Sequence, residues 1–200
     1  MWLLGSRIYS WPNRKGERKM ANVRHKCFIS YHHDDQKEVK EFIETFDHER
    51  KVFIARALGA GMEQDIIDSD DTDYVMRRIR ELYLKDSTVT LVLMGKCTWA
   101  RRYVDWEIQA SLRSGETVTP NGLLGIKLPS YPKRGGQFPN RLNLNLKQSD
   151  DQEDCYARWI EYPTRKDILS NAIDAAFNRR FTHTKWINNP RERFRYNRSC

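Results

Sequence analysis

An α/β fold, with a parallel sheet of about five strands and helices on both faces, is what the sequence predicts. Three observations carry that prediction. Strand-length apolar runs alternate with helix-length amphipathic segments along most of the chain, the order expected of strand-helix units. The run Val89 to Met94 is apolar and β-branched without polar alternation, as in a strand covered on both sides. Gly, Pro, Asn and Asp punctuate the joins, where backbone freedom and local hydrogen bonding favour turns. The 200 residues suit one domain with a sizeable core plus tails.

Each element follows from its own residues. Lys26 to Tyr31, KCFISY, is a central strand that leaves the sheet at its carboxyl edge in HHDD, and Asp34 or Asp35 is placed to cap the next helix. Val39, Phe42, Ile43 and Phe46 give that helix its inward face. Lys51 to Leu58 reads as a second strand with a flexible exit at Gly59 and Gly61. The segment Glu63 to Asp73 is rich in acids, and Thr72 or Asp70 caps a helix from Asp73 to Leu84 with Val75, Ile79 and Leu82 inward.

The third strand, Val89 to Met94, ends at Gly95 and feeds a helix bearing Glu107. A fourth strand, Leu123 to Leu128, follows a loop containing Pro120, Asn121 and Gly122. From Pro129 to Asp154 the chain lacks periodicity and reads as a long irregular loop. Cys155 to Glu161 is a last strand at the sheet edge. Thr164 with Asp167 then makes a capping-box-like start to a helix whose face is Ile168, Leu169, Ala172, Ile173, Ala176 and Phe177. The expected organisation is a basic, poorly ordered extension over residues 1–22, a folded domain over 23–181 and a basic segment over 182–200. Met20 is a candidate initiator alongside Met1.

The formal net charge is +8. Its excess sits at the two ends, with Arg7, Arg14, Lys15, Arg18 and Lys19 near the start and Arg191, Arg193, Arg195 and Arg198 near the end. Terminal charge argues less for nucleic-acid binding than a charged groove would. It suits solvated tails, or a surface that recognises an acidic trigger or partner. The cysteines Cys27, Cys97, Cys155 and Cys200 form no CxxC pair, and the five histidines show no metal spacing, so no metal is expected. Cys27 and Cys155 read as small buried hydrophobes of a cytoplasmic protein. The opening MWLLGSRIYSWPNRKGERKM has too short an apolar run for a signal peptide, and no later run approaches membrane-spanning length.

The segment STVTLVLMGKCTWARRYVDWEIQASL carries the chemistry. Ligands of open α/β sheets bind beyond the carboxyl ends of the strands, where Phe28, Ser30, Tyr31 and His32 also lie. Tyr103 and Glu107, four apart on one helix, project together, a pairing suited to a sugar. One carboxylate is enough to break a glycosidic bond whose leaving base departs neutral from a cationic ring, because no alkoxide needs protonating; glycosidases need two for that reason. The carboxylate would steady the developing sugar cation. Glu107 as a solvated surface glutamate paired with Arg101 or Arg102 is the competing reading. Asp34 reads better as a cap than as a contact, and Trp99 and Tyr103 as core aromatics or as flanks for a bound ring.

KCFISYHHDD, DSDDTDYVMRRIREL and above all STVTLVLMGKCTWARRYVDWEI resemble the TIR-like proteins of bacterial immunity, especially the TIR subunit of Thoeris antiphage systems, from about Lys26 to Lys127. The resemblance implies a flavodoxin-like fold, with Glu107 matching the glutamate on which NAD cleavage depends. NAD would be substrate, with no cofactor. Phe28, Ser30, Tyr31, His32, Trp99 and Tyr103 would line the nucleotide site. The ADP-ribosyl group would pass to its own adenine, to water or to a small nucleophile, giving a second messenger for a separate effector protein, with a phage-derived trigger. The loop Gly59 to Asp73 stands where such domains assemble, so self-association on activation is implied; no membrane partner is.

Other classes remain in view. A non-catalytic TIR-like adaptor would act through protein contacts alone. A nucleoside-processing hydrolase or deoxyribosyltransferase-like enzyme would use a strand-edge glutamate on nucleosides. A phosphate-accepting receiver needs an aspartate where this chain has Met94, Gly95 and Lys96, which rejects it.

Overall fold

The structure, a computed structural model, describes residues 23–58, 69 and 71–200. The first apolar run forms β1 (Lys26–Ser30), followed by α1 (Gln36–Ile43), which widens into a π-helical stretch over Glu44–Glu49. Next come β2 (Ile54–Leu58) and α2 (Thr72–Ile79), which widens in the same way over Arg80–Leu84. Then follow β3 (Val89–Met94), α3 (Arg102–Ser111), β4 (Gly122–Lys127), α4 (Asn140–Asn143), β5 (Arg158–Ile160) and α5 (Lys166–Thr182). The strands form one parallel sheet in the order β2-β1-β3-β4-β5. This is the flavodoxin-like order, and its direction reverses between β1 and β3, opening a crevice at their carboxyl ends.

Alternation along the strands builds two cores. Cys27 and Ile29 of β1, with Leu91 and Leu93 of β3, face α1 and α5, meeting Phe42, Phe46, Leu169 and Ile173. The next residues along face the other way. Phe28 packs with Val75, Ile79 and Trp106, and Val92 and Met94 pack with Val104 and Ile108 of α3. By the same period of two, Ser30 and Thr90 are turned toward α3. Both are polar and fully buried, and Thr90 Oγ1 is 2.7 Å from Ser111 Oγ.

Gly122 opens β4 directly beneath α5. A Cβ there would stand 2.1 Å from the Ala176 carbonyl oxygen, so helix and strand approach as closely as backbones allow. Gly122→Ala is expected to destabilise the protein by about 1–3 kcal/mol through overpacking. Urea unfolding measures it, and a change of only a few tenths would refute the contact.

Several sequence expectations are corrected. Asp35 holds the N-cap place of α1 but makes no capping bond; its carboxylate accepts from Thr98 Oγ1 at 3.2 Å, across the sheet edge. Asp34 makes no capping bond either and stands exposed beside His32 and His33. The cap of α2 is Asp71, whose Oδ1 accepts the Tyr74 amide; the Asp70 alternative lies outside the described residues. Leu82 is 38 % exposed and Leu84 takes the inward place, because a π-helical turn holds more residues than an α turn and shifts the phase.

Thr164 falls one residue too early to cap α5, whose N-cap is Arg165, and Asp167 pairs with that arginine instead. Ile168 stays 38 % exposed while Leu169 is buried. Cys155, Tyr156 and Ala157 are buried but precede the short β5. The irregular stretch after Pro129 contains α4, too short to leave a periodic signal. The expected extension at 1–22, and most of the Gly59 to Asp73 loop, lie outside the described residues. No helix among the described residues is long and apolar enough to cross a membrane.

Candidate active site

Glu107 lies on the buried side of α3 and is fully inaccessible. Ser30, turned toward it at the end of β1, donates from Oγ to Glu107 Oε2 at 2.6 Å. Oε1 has no hydrogen-bond partner. Burial pushes the Glu107 carboxyl well above the usual glutamate range, with the Ser30 bond pulling the other way, since removal from water disfavours the charged form. Ionisation of Glu107 is thereby disfavoured in this closed arrangement. The surface reading, with Arg101 or Arg102 as partner, is excluded by this burial.

Tyr31 follows Ser30 and is 3 % exposed, with its hydroxyl buried and without a partner. Burial raises its phenol, and the neighbouring Glu107 raises it further. Ser30, Tyr31 and Glu107 thus bring polar groups to the carboxyl edge of β1. Ser30 and Glu107 are bonded to each other, and Tyr31 is packed in the α1 core, on the other face of the sheet but near enough to feel the glutamate's charge. That edge contains two orphan polar atoms, Glu107 Oε1 and Tyr31 Oη, an unusual arrangement in a packed interior.

Phe28 is core rather than rim, buried against Val75, Ile79 and Trp106. His32 is buried, and burial together with the Arg101 charge lowers its pKa. Its Nε2 stands 3.0 Å from Asp34 Oδ2, and His33 Nε2 stands 2.9 Å from Asp34 Oδ1. Among the described residues this trio alone brings histidine and carboxylate atoms within 4.8 Å of one another in metal-binding fashion. The Arg101 charge beside it opposes a cation. Asp35 closes the same edge: a Cβ on Gly95 would stand 2.2 Å from Asp35 Oδ1, so glycine after β3 lets the two loops touch.

The aromatic pair divides. Tyr103 packs edge-on against Trp106 at 5.7 Å, and its hydroxyl accepts from Arg102 Nη2 at 2.9 Å. It joins the cluster of Phe28 and Trp106. Trp99 lines a separate cavity of about 360 Å³ with Tyr131, Phe138 and Arg198.

Sequence reasoning missed the strap over α3. Residues 187–200 run along its outer side: Trp106 Nε1 donates to the Phe194 carbonyl, Gln109 Nε2 to those of Pro190 and Arg191, and Arg198 N to that of Ala100. Arg141 of α4 anchors the strap. It pairs with Asp105 (Nε to Oδ1, 2.9 Å), their side chains 2 % and 6 % exposed, and donates to Asn189 Oδ1 and to the Pro190 and Glu192 carbonyls. A disulfide joins Cys97 to Cys200, whereas Cys27 and Cys155 are free and buried. No short-range signal links Arg141 to Asp105, or Cys97 to Cys200, because each pair is joined only by the fold.

A buried acid beside an open oxygen and a free phenol can orient hydroxyl groups and, once ionised, stabilise a cation. It cannot do so while sealed from the substrate, with burial disfavouring its charge. A family model describing the TIR-like domain of the Thoeris protein ThsB matches residues 28–133, just over half of the chain. A search of curated proteins finds no match.

Proposed function

The chain belongs to the TIR-like domain family of the Thoeris protein ThsB, an antiphage-defence family, and on that footing we propose that it is an enzyme cleaving NAD at the nicotinamide to ribose bond. The observation that carries the proposal is Glu107. It is the one carboxylate held inside the carboxyl-edge cluster among the described residues, hydrogen-bonded to Ser30 and with one oxygen uncommitted.

In the proposed reaction the bond between the ribose carbon and the pyridinium nitrogen breaks, and its electron pair leaves with neutral nicotinamide. The ionised Glu107 carboxylate orients the ribose hydroxyls and steadies the oxocarbenium-like sugar. Ser30 positions that carboxylate, and Tyr31 offers a hydroxyl to the sugar. The cation is captured by adenine, by water or by a small nucleophile, which surrenders a proton to solvent. The product is an ADP-ribose-derived messenger, cyclic or conjugated, for a separate effector protein. Sealed in this way the carboxylate is out of reach of substrate, so in this proposal a trigger of phage origin and self-association part α3 from the β1 edge.

A second reading, a TIR-like adaptor without catalysis, is favoured by the same complete burial. Incubating the purified protein with NAD, with and without lysate from phage-infected cells, and resolving products by mass spectrometry separates the two. Nicotinamide with an ADP-ribose derivative is expected in the lysate arm. NAD left intact in both arms removes the enzyme and leaves the adaptor.

A further inference from the structure

Outside the Glu107 cluster, the outer face of α3 carries a groove that the NAD reading does not use. Its volume is about 1110 Å³, and it runs between α2 and the strap. Met76, Leu112 and Ile187 supply apolar surface, and Arg113 and Arg191 stand along it. A smaller cavity of about 430 Å³ adjoins through Arg113 and adds Arg77 and Arg80. None of these four arginines forms an ion pair among the described residues. The acids nearby are engaged: Glu81 faces Arg78 at 3.7 Å, and Asp71 caps α2.

Two orphan atoms point to a ligand. Arg80 Nη1 is buried without a partner, and the Arg113 charge together with burial disfavours its protonated state. Like charges brought together cost energy, which an incoming anion would recover; Glu81, on the same cavity, is turned to Arg78. Gln109 is 8 % exposed and lines the groove; its Nε2 is spent on the strap while its Oε1 accepts nothing. That oxygen needs an N–H or O–H donor.

The geometry points to a docking site for an acidic, aliphatic peptide segment of a partner protein, its carboxylates on Arg77, Arg80, Arg113 and Arg191 and a backbone amide on Gln109 Oε1. Nucleic acid fits less well. Among the described residues no aromatic ring lines either cavity, so bases find no stacking platform there, and a DNA phosphodiester backbone has no donor for Gln109. A peptide seated here bears on α3, the helix that carries Glu107. The inference stands apart from the NAD reading, since docking is measured without turnover.

The test is fluorescence anisotropy with a labelled ten-residue peptide alternating Asp and Leu, a matched Lys and Leu peptide, and labelled oligo(dT). The full chain is compared with Arg113→Glu/Arg191→Glu, both sites being exposed, after circular dichroism confirms folding. The acidic peptide is expected to bind saturably below about 1 mM. Affinity should fall about tenfold or more in the charge-reversed variant and weaken with salt. Absence of binding, equal binding of the Lys peptide, an unchanged affinity in the variant, or preferential capture of oligo(dT) would each overturn the assignment. So would an Arg113- and Arg191-dependent dimer in sedimentation, which would make the occupant a second copy.

Discussion

Glu107→Gln is expected to lower nicotinamide release from NAD by about 10²- to 10³-fold, the size of loss seen when one preorganised electrostatic stabiliser is removed. The amide keeps the shape of the side chain and can still accept the Ser30 Oγ bond, so folding survives. What it loses is the capacity to become an anion beside the sugar. The comparison is made by mass spectrometry in whichever preparation of the natural sequence is active, and an unchanged yield would take Glu107 out of the reaction.

The same substitution has a signature independent of turnover. Burial raises the Glu107 pKa, so the folded protein keeps a proton that the unfolded chain surrenders near the ordinary glutamate value of about 4.3. The contribution of this group to stability is therefore full below that pH. It is lost progressively as pH rises toward the raised folded value, and levels off above it. Glu107→Gln should remove that downward slope and gain on the natural protein as pH rises. Parallel stability-pH curves for the two would show that Glu107 is ionised in the folded state.

Arg141→Met is expected to cost about 3–5 kcal/mol, the loss typical of breaking a buried ion pair from one side. Asp105 would retain the Phe194 amide as a donor but lose the guanidinium, while its side chain remains almost sealed from water. The Asn189 side-chain oxygen and the Glu192 carbonyl would lose this donor at the same time, while the Pro190 carbonyl would keep only Gln109 Nε2. Urea unfolding gives the cost, and limited proteolysis should open residues 187–196 first. A loss below about 1 kcal/mol would mean that water replaces the arginine at little cost. Adding Asp105→Leu should recover part of the loss, because it removes the stranded charge.

Glu107 was legible because a both-faces-buried strand, a glycine stop and a helix with one acid place a carboxylate at the carboxyl edge of the sheet. Ser30 was legible by position only. The sequence suggests a contact with nucleotide, while the structure spends its hydroxyl on Glu107. The sequence groups Trp99 with Tyr103, but the 3-10 turn over Thr98–Ala100 and the start of α3 send them to different surroundings. Helix caps were the least legible feature. A short polar side chain at the right spacing also serves a partner across the sheet edge, as Asp35 does with Thr98.

Taken alone, the sequence determines the parallel α/β sheet, the order of its elements and the helix that bears the acid, because strand and helix periodicities are local and repeat within a few residues. Tertiary structure decides that Glu107 is sealed and its ionisation disfavoured, that Arg141 and the Cys97–Cys200 bridge tie a strap across α3, and that four arginines share adjoining cavities. Those outcomes depend on desolvation and on contacts between residues far apart in the chain, which no local pattern encodes.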